Sequence, residues 1–163
     1  MSFIKFELNF RNTMSSKRFK YQEFLEKFDN CPPENFKEVE IKAFRWVFEE
    51  CGQESFLPVL IIDPLRKFGN DKLKCSGYAI SMFEDKRNAC VKYKKLIGSV
   101  PKFQEKVGTC IAEINIDIKD GICSTPEMNN YLHFDLHLYF VSDLSKKVLS
   151  IAIILDDDGN ING

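Results

Sequence analysis

The chain has 163 residues, of which 44% are hydrophobic and 29% charged, and its net charge is −1. That length supports one domain with its own core, and the balanced charge excludes a general nucleic-acid binder, which needs a basic excess. No apolar run approaches the length of a membrane span, while fifteen phenylalanines are enough to fill a core and leave a few for an apolar contact surface.

In chain order, "FIKFELNF" alternates Phe3, Lys5 and Glu7 with Ile4, Phe6 and Leu8, which predicts a strand with one polar face. The interleaved Lys5 and Glu7 do not suit a secretory leader. Met14 can serve as an alternative start, which leaves open whether residues 1–13 are an extension or part of the native product. "YQEFLEKF" places Tyr21, Phe24, Leu25 and Phe28 at helical spacing, and "CPPEN" ends that small helix. "EVEIKAFRWVF" alternates Val39, Ile41, Ala43 and Val47 with charged residues and reads as a strand. "FLPVLII" is a second apolar run, read as extended, with Pro58 near its start or on an edge because proline cannot donate to a central ladder.

"DPLRKFGNDKLKCSG" carries the proline and glycine signals of a loop. "GYAISMF" is the next strand and flows into the main helix, Glu84–Ile97. There Ala89, Cys90, Tyr93, Leu96 and Ile97 share one stripe, acidic residues open the helix, Lys94 and Lys95 close it, and Gly98 stops it. "TCIAEINI" predicts a strand with Cys110, Ala112, Ile114 and Ile116 on one face and Thr109, Ile111, Glu113 and Asn115 on the other. "DIKDGICSTPEMNN" reads as a long loop. "NYLHFDLHLYF" is a strand, and "VLSIAIIL", apolar at nearly every position, is expected at the centre of the sheet. The acidic "DDDGNING" is expected to fray.

Together these elements predict one α+β domain over residues 1–155, with a flexible acidic tail at 156–163. Its mostly antiparallel or mixed sheet has five to seven strands, packed by one main helix and a smaller N-terminal one. The six cysteines form no C-x-x-C pair and are spread along the chain; they read as free, mostly buried thiols of a reducing cytoplasm.

Candidate functional residues are few. His133, Asp135, His137 and Tyr139 share one face of their strand, with Phe134, Leu136, Leu138 and Phe140 on the other. Same-face neighbours stand about 6.8 Å apart, so the two histidines are roughly 13–14 Å from each other, too far to share one zinc ion. No metal and no cofactor is therefore expected. The residues read as a partly solvated polar face in which Asp135 pairs a flanking histidine. There is no phosphate loop, no dinucleotide fingerprint, no nucleophile elbow and no zincin helix. The basic helix face of Lys86, Arg87, Lys92, Lys94 and Lys95 reads as solvated.

Three runs, "CSGYAISMFEDKRNACVKYKKL", "GTCIAEINIDIKDGICSTP" and "HFDLHLYFVSDLSKK", resemble a group of small bacterial proteins over about Phe44–Leu155. That group carries no assigned activity. The resemblance implies a cytoplasmic interaction or accessory protein with a protein partner, no catalysis of its own, and a toxin–immunity or defence setting. More faintly, the order of polar residues is similar to ADP-ribosyltransferase-like domains. That resemblance implies an NAD-consuming enzyme as the alternative, with Arg45 toward the phosphates, Ser81 at the nicotinamide ribose and Glu113 stabilising the oxocarbenium charge. The usual Ser-Thr-Ser neighbourhood of Ser81 and a second acid two residues from Glu113 are missing.

Overall fold

The structure is a computed structural model and describes residues 17–162. The expected strand at Phe3–Phe10 lies outside the described residues. Six strands form one antiparallel sheet: β1 (Ile41–Val47), β2 (Ile80–Phe83), β3 (Cys110–Ile116), β4 (Gly121–Cys123), β5 (His133–Leu138) and β6 (Val148–Ile153), in the order β4-β5-β2-β1-β3-β6. With five helices beside that sheet among the described residues, the chain is a single-domain α+β protein.

The helices are α1 (Gln22–Leu25), α2 (Val59–Ile62), α3 (Asp71–Ser76), α4 (Lys86–Ile97) and α5 (Phe103–Val107). The main one, α4, starts two residues later than its acidic opening implied. Asp85 is its N-cap, and the carboxylate accepts from the Asn88 N–H at 2.8 Å. Its buried stripe of Ala89, Cys90 and Tyr93 packs with Phe83, Phe103 and Ile111 to form one core layer. Two bonds fix its height over the sheet: Trp46 Nε1–H donates to the Ala89 carbonyl at 3.1 Å, and the Tyr93 hydroxyl donates to the Gly108 carbonyl at 2.7 Å. Gly108 has φ +87°, and a Cβ there would stand 2.1 Å from the Val47 carbonyl oxygen, so this close crossing requires glycine.

The opposite sheet face carries the larger layer, with Ala43, Val47, Ile80, Met82, Ala112, Ile114, Phe134 and Leu136 sealed by Phe56 and Leu144 from short 3-10 turns. Both faces of β3 are thus filled, Ile111 on the helix side and Cys110, Ala112, Ile114 and Ile116 on the other.

Several local expectations differ. "FLPVLII" is helical rather than extended: Pro58 sits just before α2, where its missing N–H is harmless. The expected loop at 63–77 contains α3, capped by Asn70 accepting from Leu73 N–H at 2.9 Å. The loop after β3 contains the short strand β4. The N-terminal helix is a single turn. "VLSIAIIL" forms β6, an edge strand among the described residues rather than a central one. The acidic end makes contacts among the described residues. Leu155 bridges Ile161, Asn162 N–H donates to Ile154 at 2.8 Å, and Ile161 packs on the helix-side core. Among the described residues no helix is long and apolar enough to cross a membrane.

Candidate functional site: a buried polar face and an open apolar edge

The polar face of β5 is real, but most of it is not solvated. His137 is 1% exposed, enclosed by Phe36 and Phe19 from the N-terminal segment and by Cys75 of α3. Tyr139 is also buried. Its ring stacks on Phe19 and its hydroxyl donates to Glu38 at 2.7 Å. Removal from water drives the His137 pKa down to about 4, so the imidazole is neutral near pH 7. Gly121 makes this enclosure possible: at φ +156°, a Cβ there would lie 2.0 Å from the His137 carbonyl oxygen. On the other side of the strand Phe134, Leu136 and Leu138 enter the core as expected, whereas Phe140 is 59% exposed. The chain turns after Leu138, where the Phe19–Tyr139 bridge replaces regular pairing, and the alternation ends there.

Asp135 and His133 form the rest of the row. Asp135 lies directly across from Ser81 in the β2–β5 ladder, and His133 across from Phe83. Ser76 Oγ donates to Asp135 Oδ2 at 2.5 Å, while Asp135 Oδ1 stays 3.8 Å from His133 Nε2. Burial raises the Asp135 pKa to about 6 against the Ser76 hydrogen bond, with the Glu127 charge adding to the rise. His133 falls to about 4, first through burial and then through the positive charges of Lys92 and Arg45. Ser81, itself exposed, meets His133 Nε2 through its hydroxyl.

A serine hydroxyl on an imidazole is the beginning of a nucleophile–base pair. The third member is not in place. His133 Nδ1 is enclosed without a hydrogen-bond partner among the described residues, and the nearest carboxylate, Glu127 Oε1, stands 4.0 Å away. A base that stays neutral down to about pH 4 also draws a proton weakly.

Arg45, Ser81 and Glu113 do not converge. Arg45 shares the sheet face of Ala43 and Val47, where its Nε–H and Nη1–H donate to the Ser55 and Ser81 carbonyls, each at 2.7 Å. A third, longer bond reaches the Leu57 carbonyl at 3.4 Å. The guanidinium thus fastens the 3-10 turn to the sheet, and its burial lowers the pKa to about 10, leaving the charge intact. Ser81 and Glu113 are on the helix side, with Phe83 and Ile111. Glu113 pairs with Lys42 at 2.9 Å and accepts from Ser150 at 3.1 Å. Those bonds, chiefly that of Lys42, lower its pKa.

The cysteines divide. Cys31 and Cys75 are disulfide-bonded, against the expectation of free thiols, whereas Cys51, Cys90, Cys110 and Cys123 are free and buried as expected. Nothing in the sequence spacing pointed to the bonded pair, 44 residues apart.

At the far end of the sheet the chemistry is opposite. Among the described residues β6 is paired on one side only, with β3. Leu149, Ile151 and Ile153 are 57%, 45% and 57% exposed. Ile151 and Ile153 stand opposite Ala112 and Cys110, so they carry the apolar face of the larger core layer outward beyond its cover. A bulge at the Glu113–Ile114 step lets Leu149 project beside them. The strand "VLSIAI" has no charge and no proline, the usual protections of a free edge. Comparison with protein-family models, with curated proteins and with solved structures found no match for this chain. The class rests on its own architecture: an α+β sheet protein whose β6 edge is apolar and unpaired among the described residues.

Proposed function

We propose that this chain is an interaction or accessory protein without catalysis of its own, and that β6 is its contact surface. A protein partner supplies an extended segment that pairs with the free backbone of β6 and covers Leu149, Ile151 and Ile153. The observation that carries this reading is three large aliphatic side chains exposed along one unprotected edge strand. Strand addition uses both features, main-chain hydrogen bonds for affinity and alternate side chains for selectivity. A cytoplasmic setting and a toxin–immunity or defence role belong to the same proposal; four buried free thiols suit that setting, and the Cys31–Cys75 disulfide does not. The NAD-consuming alternative has no convergent residue set to rest on, because Arg45 faces away from Ser81 and Glu113.

The test is a photo-crosslinking amino acid placed at Ile151 or Ile153 in the source cells, with Leu65, 90% exposed and far from the edge in sequence, as control. A discrete adduct from the two edge positions and none from Leu65 supports the reading, and its mass separates a different protein from a second copy. Equal labelling from all three positions, or none from the edge, overturns it. Incubation with NAD is expected to release no nicotinamide.

A further inference from the structure

The buried end of β5 holds a second constellation that the interaction surface does not use. Cys31 follows α1 on the N-terminal segment, Cys75 lies in α3, and His137 lies in β5. Their ligand atoms, two Sγ and one imidazole nitrogen, all fall within 4.8 Å of one another. Cys75 Sγ stands 3.7 Å from His137 Nε2.

The sulfur–nitrogen separation already suits one metal ion, while the two sulfurs, bonded in the disulfide, have to part on reduction. With Zn–S bonds near 2.3 Å and Zn–N near 2.0–2.1 Å, tetrahedral geometry places sulfur and nitrogen about 3.5 Å apart and the two sulfurs about 3.8 Å apart. Thiolate and imidazole are the donors that zinc prefers, and the Cα atoms of the two cysteines are 5.8 Å apart. Each ligand comes from a different element, and Phe36 and Phe19 form an apolar wall behind the imidazole.

We propose that, when the Cys31–Cys75 pair is reduced, Cys31 Sγ, Cys75 Sγ and His137 Nε2 bind one zinc-class divalent cation, and that thiol–disulfide exchange with a small-molecule disulfide, which accepts the two electrons and leaves as two thiols, re-forms the S–S bond and releases the ion. Reduction by a thiol reductant transfers two electrons and two protons: the S–S bond breaks, two thiols form, and the reductant leaves as its own disulfide. Metal binding then displaces the two thiol protons, giving two thiolate bonds and one imidazole bond. Among the described residues no further His, Cys, Asp or Glu joins the cluster, so water completes the fourth position from the half-buried Cys31 side.

The test uses the full chain reduced with a phosphine, then titrated with cobalt(II) chloride as a spectroscopic stand-in for zinc. One cobalt per chain is expected, with a thiolate charge-transfer band and tetrahedral visible bands. The oxidised protein should show neither. Cys31→Ser should remove the charge-transfer intensity of one thiolate and weaken binding at least about tenfold, as loss of a ligand or its support does, whereas Cys90→Ser should leave the spectrum unchanged. A readout without variants guards against misfolding: zinc added to reduced wild type should slow alkylation of Cys31 and Cys75 by iodoacetamide but not that of Cys51, mapped by mass spectrometry. Cobalt uptake without a charge-transfer band, equal uptake by oxidised protein, or unchanged alkylation would each overturn the proposal.

Discussion

The two ends of the sheet invert the usual distribution of residues. At the β4–β5 end, histidines, an aspartate and serines are covered. Lys37 bridges Cys123 beside β4, Phe19 bridges Tyr139 after β5, and α3 closes over His137. At the β6 end, leucine and isoleucine face water. A buried polar residue and an exposed apolar cluster are both informative departures from the common pattern. The covered end spends its polar groups on one another and on the fold, whereas the β6 end leaves apolar surface and a backbone edge unpaired among the described residues.

This contrast can be broken by substitution, and the largest effect belongs to the core beneath the covered end. Phe134→Ala should cost about 3–5 kcal/mol, measured by chemical denaturation, while Phe140→Ala, on an exposed ring, should stay within about 0.5 kcal/mol. Equal losses would mean that the strand continues inward past Leu138.

Acid should act next, chiefly through the covered end. His133 and His137 are both lowered from 6.5 to about 4. The unfolded chain therefore binds more protons than the folded one, and stability falls as pH drops from about 6.5 through 4. Each imidazole contributes about 3 kcal/mol at most. Asp135 works in the opposite sense, since its pKa is raised from 3.8 to about 6 and its protonation favours the fold as pH falls. Two imidazoles outweigh one carboxyl, so the melting temperature of the oxidised protein should decline between pH 6.5 and 4. A flat profile would show that these groups are solvated.

Arg45→Met should cost about 1.5–3 kcal/mol, as loss of hydrogen bonds from a charged donor does, with no effect on adduct formation at β6. Smallest for stability is Ile151→Lys, expected within about 0.5 kcal/mol on an exposed strand position. Yet it should abolish the photo-adduct formed from Ile153. A large loss of stability would show instead that Ile151 is part of the core.

The fold class was legible because period-two patterns at Ile41–Val47, Cys110–Ile116 and His133–Leu138 and the stripe of α4 all report burial that the structure reproduces. What failed were inferences from composition alone. "FLPVLII" is apolar in either conformation, and only Pro58 and the following turn decide for helix. β6 looked central because both its faces are apolar. An apolar run of this kind does not say whether a strand has a neighbour on one side or on two. The histidine face alternates correctly, but alternation says nothing of what lies above it. Its cover comes from Phe19, Phe36 and Cys75, all more than 60 residues away in the chain. Arg45, Ser81 and Glu113 have the right order along the chain, while the face of each strand, which order does not encode, separates them.

The most direct measurement is amide hydrogen exchange of this protein alone and in complex with the partner recovered through the Ile151 or Ile153 adduct. The predicted result is slowed exchange confined to Val148–Ile153 and its immediate flanks, with Gly121–Cys123 at the opposite edge unchanged. Protection at the β4–β5 end with β6 exchanging as in the free protein would contradict the assignment of β6 as the contact surface.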